Sequence, residues 1–125
     1  MGNLEVAMSI DEFFAGQDLS RQIFDPLYQL INSVGNTEMR ISKSQISFRR
    51  QKSFAWVWIP GKYLRGNIAP LVLTLVFHQR DESARWKEIV KPSPGHFTHH
   101  LELFSITDID DQVRNWLWEA WKNAG

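Results

Sequence analysis

Ser53-Phe54-Ala55-Trp56-Val57-Trp58-Ile59 is apolar on both of its alternating sets, with Phe54, Trp56 and Trp58 on one and Ala55, Val57 and Ile59 on the other. Successive side chains of an extended chain point to opposite faces, so this run predicts a strand buried on both sides, in the middle of a sheet. It also predicts that Trp56 and Trp58 belong to the core. Pro60-Gly61 ends the run with turn chemistry, and residues 71–77 repeat the pattern with Thr74 as the one polar interruption.

Weaker strands flank this pair. Met39 and Ile41, then Ile46 and Phe48, alternate with polar neighbours, which suits a sheet buried on one face. A polar stretch at 78–85 leads to Trp86-Lys87-Glu88-Ile89-Val90. Pro92-Ser93-Pro94-Gly95 then forces a turn before residues 96–104, where Phe97, His99, Leu101 and Leu103 share a face.

Helices close both ends of the chain. Ser9-Ile10-Asp11-Glu12 reads as a capping box, and Leu19, Ile23, Leu27, Leu30, Ile31 and Val34 form a stripe of helical period over residues 18–34, ended by Gly35-Asn36. Pro26 predicts a kink there, or a restart with Asp25 as its cap. Near the C-terminus, Thr107 and Asp110 resemble a cap, and Asp108, Asp110 and Asp111 suit a helix N-terminus. Ile109, Val113, Trp116, Leu117, Ala120 and Trp121 supply the apolar stripe, with Trp118 off it. The expected fold class is α+β: a mostly antiparallel sheet of five to six strands, with N-terminal helices and a C-terminal helix packed on one face.

Composition narrows the class. A chain of 125 residues fits one domain, 1–125, and its 43% apolar and 22% charged content disfavours disorder. No apolar run reaches the roughly 18 residues of a membrane helix. The opening residues carry no leader pattern, and Val6 stands where myristoylation would need Ser or Thr, so a cytoplasmic address and no membrane partner are expected. The absence of cysteine removes disulfides, thiol nucleophiles and thiolate metal sites.

The series Ile10-Asp11-Glu12-Phe13-Phe14, Ser44-Gln45-Ile46-Ser47-Phe48, Ser53-Phe54-Ala55 and Phe97-Thr98-His99-His100-Leu101-Glu102-Leu103 precedes Asp108-Ile109-Asp110-Asp111-Gln112-Val113 and a tryptophan-rich helix. Together these segments resemble the family called domain of unknown function 5655, over about residues 9–122. The resemblance implies a small domain that stands alone or follows a restriction-nuclease-like domain, with no established activity of its own. Pro26, a long apolar fourth strand and the abundance of tryptophan depart from the family pattern.

Charge points to function. Residues 1–39 carry a net −5, residues 40–65 a net +7 without one acid, and the remainder −2, so a zero net charge conceals a dipolar layout. Lys43, Arg49, Arg50, Lys52, Lys62 and Arg65 are the candidate contacts for nucleic acid or another polyanion, with Gln45 and Tyr63 as polar readers. The expected function is thus a noncatalytic binding module with a basic hairpin rim. The alternative is an accessory domain that pairs with a protein partner or with itself through a sheet edge or Trp118. A third reading is a small-ligand pocket lined by Trp56, Trp58, His99 and Trp116.

Chemistry is less well marked. His96, His99 and His100 crowd one strand, but His99 and His100 must face opposite ways and cannot share a metal, so neither metal nor cofactor is expected. His99 suits a structural role, or a general base if it lines a cleft. No nucleophile elbow or phosphate-cradling loop is present, and the reading leans away from an enzyme.

Overall fold

A computed structural model describes residues 8–125. The leader reading rests on residues 1–7 and lies outside the described residues. Helix α1 (Ile10–Phe13) carries the expected capping box: Ser9 Oγ accepts the Glu12 amide at 3.0 Å, and the Glu12 carboxylate accepts the Ser9 amide at 3.0 Å.

Helix α2 (Asp18–Val34) runs through Pro26 without the expected restart at Asp25. Proline deprives the Gln22 carbonyl of its amide partner, and because Gln22 is exposed, water can satisfy that group while the buried stripe holds the helix in place. That stripe is Ile23, Phe24, Leu27 and Ile31. Leu19, expected in it, is 56% exposed; Ser20 is buried instead and donates from Oγ to the Pro70 carbonyl at 2.6 Å. Gly35 ends the helix in extended backbone, and space demands glycine there, because a Cβ would fall inside the Trp121 indole. Trp121 Nε1 in turn donates to the Asn36 carbonyl at 2.9 Å.

The sheet contains β1 (Glu38–Ile41), β2 (Ile46–Arg49), β3 (Ser53–Trp58), β4 (Leu71–Phe77), β5 (Glu88–Ser93) and β6 (His96–Leu103) among the described residues. Their order is β1-β2-β3-β4-β6-β5, and every neighbouring pair is antiparallel. β3 and β4 are central, as their two-sided apolar pattern requires.

Cross-strand partners share a face, so the register sorts the side chains. Phe48, Ala55, Leu75 and His99 form one row, and Ile46, Val57, Leu73 and Leu101 form the next. All eight are buried. The sheet residues among them other than His99 join the helix residues Ile23, Phe24, Leu27, Ile31, Val113 and Leu117 in one hydrophobic cluster, which identifies the helix-covered face.

β6 lies between β4 and β5, so the chain from β4 must pass to the far edge before returning. Side chains hold this connection. The Asp81 carboxylate accepts from Trp86 Nε1 at 2.8 Å and from the Ser83 amide at 3.1 Å, while Arg85 reaches Asp110 at 3.0 Å and the Asp108 carbonyl at 3.0 Å. Asp110 caps α3 (Asp111–Asn123) by accepting the Val113 amide at 3.1 Å. Burial opposes its ionisation, but that amide and Arg85 prevail and hold its pKa below the usual carboxylate value. Thr107, expected near the cap, lies inside a preceding 3₁₀ turn (Ile106–Asp108) whose capping pair is Ser105 and Asp108.

Candidate functional site

The other face of the sheet carries Ser47, Trp56, Thr74, His100 and Glu88 in one cross-strand row, with Trp58, Val72 and Glu102 in the next. None of these side chains joins the hydrophobic cluster that unites the sheet with the helices. Trp56 and Trp58 are half-buried, which corrects their expected place in the core. Two-sided apolarity marked β3 as central, but the helices cover the Ala55 and Val57 side, and Phe54, at the register shift between β2 and β3, is buried in the same cluster. Thr74 and Val72 are buried even on the open face, each opposite a tryptophan.

A cleft of about 420 Å³ opens on this face, lined by Trp56, Trp58, Tyr63, Gln45, Thr74 and His100, with Ser44 and Thr98 beside them. Three elements supply its walls. The turn between β1 and β2 brings Ser44 and Gln45, the loop after the 3₁₀ turn (Pro60–Lys62) brings Tyr63, and β3, β4 and β6 form the floor. Thr74 Oγ1 and His100 Nδ1 share a hydrogen bond of 2.8 Å. Burial lowers the His100 pKa despite the nearby Glu88 carboxylate, so near neutral pH the ring is uncharged and can both donate and accept. Flat apolar rings with polar groups at their margins suit a ligand that is planar and bears hydrogen-bonding edges.

Of the pocket predicted from Trp56, Trp58, His99 and Trp116, the structure brings only the first two together. His99 and Trp116 lie on the helix-covered side, where Trp86 sits between them, edge-on to His99 with ring centroids 4.8 Å apart and tilted against Trp116 at 4.1 Å. His99 is fully buried. Its Nε2 accepts the Asp81 amide at 3.0 Å, so Nδ1 carries the proton and donates to the Phe97 carbonyl at 3.0 Å. Both nitrogens are used, which leaves no valence for the general-base role considered above. The cleft imidazole is the neighbouring His100. Strand alternation could have flagged it, since His100 shares a set with Thr98 and Glu102 rather than with the apolar residues.

The basic residues do not form one rim. Antiparallel hairpins place successive turns at opposite ends of a sheet, so Lys43, Lys62 and Arg65 lie at one end and Arg49, Arg50 and Lys52 at the other. Several already have partners. Arg49 Nε donates to the Gln51 carbonyl at 3.0 Å. Arg50 lies 3.7 Å from the Trp121 ring centroid and donates to the Trp121 and Lys122 carbonyls at the end of α3. Lys62 donates to the Phe13 carbonyl at 2.8 Å, and burial lowers its pKa. Lys43, Lys52 and Arg65 are exposed, and the described residues offer them no carboxylate partner.

A single antiparallel sheet with helices on one face and an aromatic cleft on the other defines an α+β domain. A family profile for a domain of unknown function, DUF5655, matches residues 10–124, and the chain belongs to that family. No curated protein and no solved structure matches it. No helix among the described residues is long and apolar enough to cross a membrane.

Proposed function

We propose that this domain is a noncatalytic binding module whose site is the open sheet face, and that it takes an anionic ligand carrying a flat ring, as a nucleotide does. The observation that carries this reading is the cleft. Trp56, Trp58 and Tyr63 line it with Gln45 and His100, while Lys43 and Arg65 stand exposed at the same end of the sheet. Aromatic rings bind base faces with little regard to sequence, polar edges discriminate among bases, and cations hold the phosphate. The basic hairpin turn expected to carry the function is replaced in this role by the cleft, because Arg49 and Arg50 are engaged within the fold.

Thymidine monophosphate titrated into the protein should quench tryptophan fluorescence, and Trp58→Ala should weaken binding by about tenfold, the order of one base–aromatic stack. An unchanged spectrum at saturating ligand would sink the reading. A cytoplasmic address belongs to the same proposal, and cell fractionation checks it.

A second reading, pairing with a protein partner or with another copy, draws on Trp118. That ring is 49% exposed on α3, with Lys122 Nζ 4.3 Å from its centroid. Light scattering across a concentration series separates the two, since pairing predicts a mass that rises with concentration and falls on Trp118→Ala.

A further inference from the structure

Trp56 lines a second cavity as well as the cleft. This cavity, of about 210 Å³, is lined by Lys52, Phe54, Val76, His78 and His96 at the opposite end of β3 and β4, and walled by Ala120, Asn123 and Ala124 at the end of α3. The two depressions share Trp56 as a lining residue, and taken in order they trace a path along β3, with Lys43 and Arg65 at one end and Lys52 at the other. No Asp or Glu lines either depression among the described residues.

We infer that this path binds single-stranded nucleic acid laid along β3, a reading that rests on the cleft being a ligand site and extends it from one nucleotide to a chain. Spacing is the first argument. Trp56 and Trp58 share a face two residues apart, or about 7 Å along the strand, so each indole offers its own stacking surface to one of two successive bases. The six residues of β3 span roughly 20 Å, so its two ends lie too far apart for one phosphate to reach both.

Charge is the second argument. The turns that split the basic segment between two ends of the sheet leave one exposed cation or more at each end of the aromatic path. The end of α3, with its partial negative charge, lies beside Lys52, but Arg50 and the amides of Gln51 and Lys52 already occupy its carbonyls. A duplex hides its base faces from such a platform, and an acidic peptide offers carboxylates without rings for the indoles.

The test uses the full chain, fluorescein-labelled oligothymidylates from one to about eight nucleotides, and anisotropy read across a salt series. Affinity should climb with length and level off near four nucleotides, roughly the number a sheet of this kind accommodates. Three phosphate contacts give a log–log salt slope of about −2. Lys52→Glu should weaken oligomer binding and reduce that slope by about 0.7, yet leave thymidine monophosphate binding unchanged. Trp58→Ala should weaken both; Lys52 is exposed, so its variant keeps the test valid if the tryptophan variant misfolds.

Equal affinity for monophosphate and oligomer, with Lys52→Glu silent, would overturn the extended path and leave the cleft reading intact. Duplex DNA binding as tightly as the single strand, or an acidic peptide displacing it at lower concentration, would also overturn the path. Absence of binding by either thymidine probe would overturn both readings.

Discussion

His99 and His100 are adjacent in the chain, and each belongs to a different face of the same sheet. His99 stands in the helix-covered row beside Leu75, fully buried, with one ring nitrogen on the Phe97 carbonyl and the other on the Asp81 amide. His100 stands in the open row beside Thr74 and borders a cleft. The covered face is saturated: its apolar groups meet other apolar groups and its one imidazole has no spare valence. The open face has rings and polar edges turned toward solvent without helices over them. The same residue type therefore ties the structure together on one face and borders the open cleft on the other.

The largest effect should come from the core rows. Leu73→Ala removes a fully buried side chain and should cost about 2–5 kcal/mol, whereas Trp58→Ala on the open face should cost about 1 kcal/mol despite deleting more atoms. Urea denaturation of both variants checks this, and a reversed ranking would break the distinction between the faces.

The two histidines give a finer comparison. His99→Ala orphans the Asp81 amide and the Phe97 carbonyl, at roughly 1–3 kcal/mol for each buried group. His100→Ala leaves one such group, the buried Thr74 hydroxyl beside the cleft, so it should cost about half as much as His99→Ala and should show also as altered ligand binding. Equal losses of stability would mean that the open face contributes as much to the fold as the covered one.

Acid should act on both imidazoles. Burial lowers the pKa of each below the ordinary 6.5; at His99 this outweighs the Phe97 carbonyl and Asp81, and Arg80 and His100 add to it. The unfolded chain then takes up protons at higher pH than the folded one. Stability from these groups is full above about pH 6.5 and is lost as the pH falls toward the depressed folded values. Urea midpoints measured from neutral to mildly acidic pH should decline, and less steeply in His100→Gln.

The smallest effect belongs to the rim. Lys87 and Glu102 pair at 3.2 Å with the lysine side chain 56% exposed, so Lys87→Ala should change stability by about 1 kcal/mol or less. A loss comparable to that of Leu73→Ala would place this rim in the structural core after all.

Local order was legible wherever it depends on neighbours in the chain. The Ser9 and Glu12 box, the stripe through Ile23, Leu27 and Ile31, the Asp110 carboxylate and the central strands all appear where periodicity and capping chemistry put them. Pro26 misled because a helix seated by a buried stripe tolerates one missing amide at an exposed carbonyl. Leu19 and Trp58 misled because an apolar side chain states only that it favours burial, not that a partner will arrive to bury it.

The site was legible in its parts and not in its grouping. Gln45, Tyr63, Trp56 and Trp58 stood out individually, and the structure gathers all four around one cleft. Two further neighbours, Thr74 and His100, come from strands whose pairing no local pattern reveals. The basic segment reads as one cluster because its residues are close in sequence. Hairpin geometry then sends its turns to opposite ends of the sheet.

From the sequence alone follow the α+β class, the central place of β3 and β4, and the sorting of His99 and His100 to different faces, because side-chain alternation and helical period are properties of the local backbone. Tertiary structure alone decided which face the helices cover, which loops wall the cleft, and which cations stay exposed. Those outcomes depend on strand register and helix docking, which are set by contacts between residues far apart in the chain.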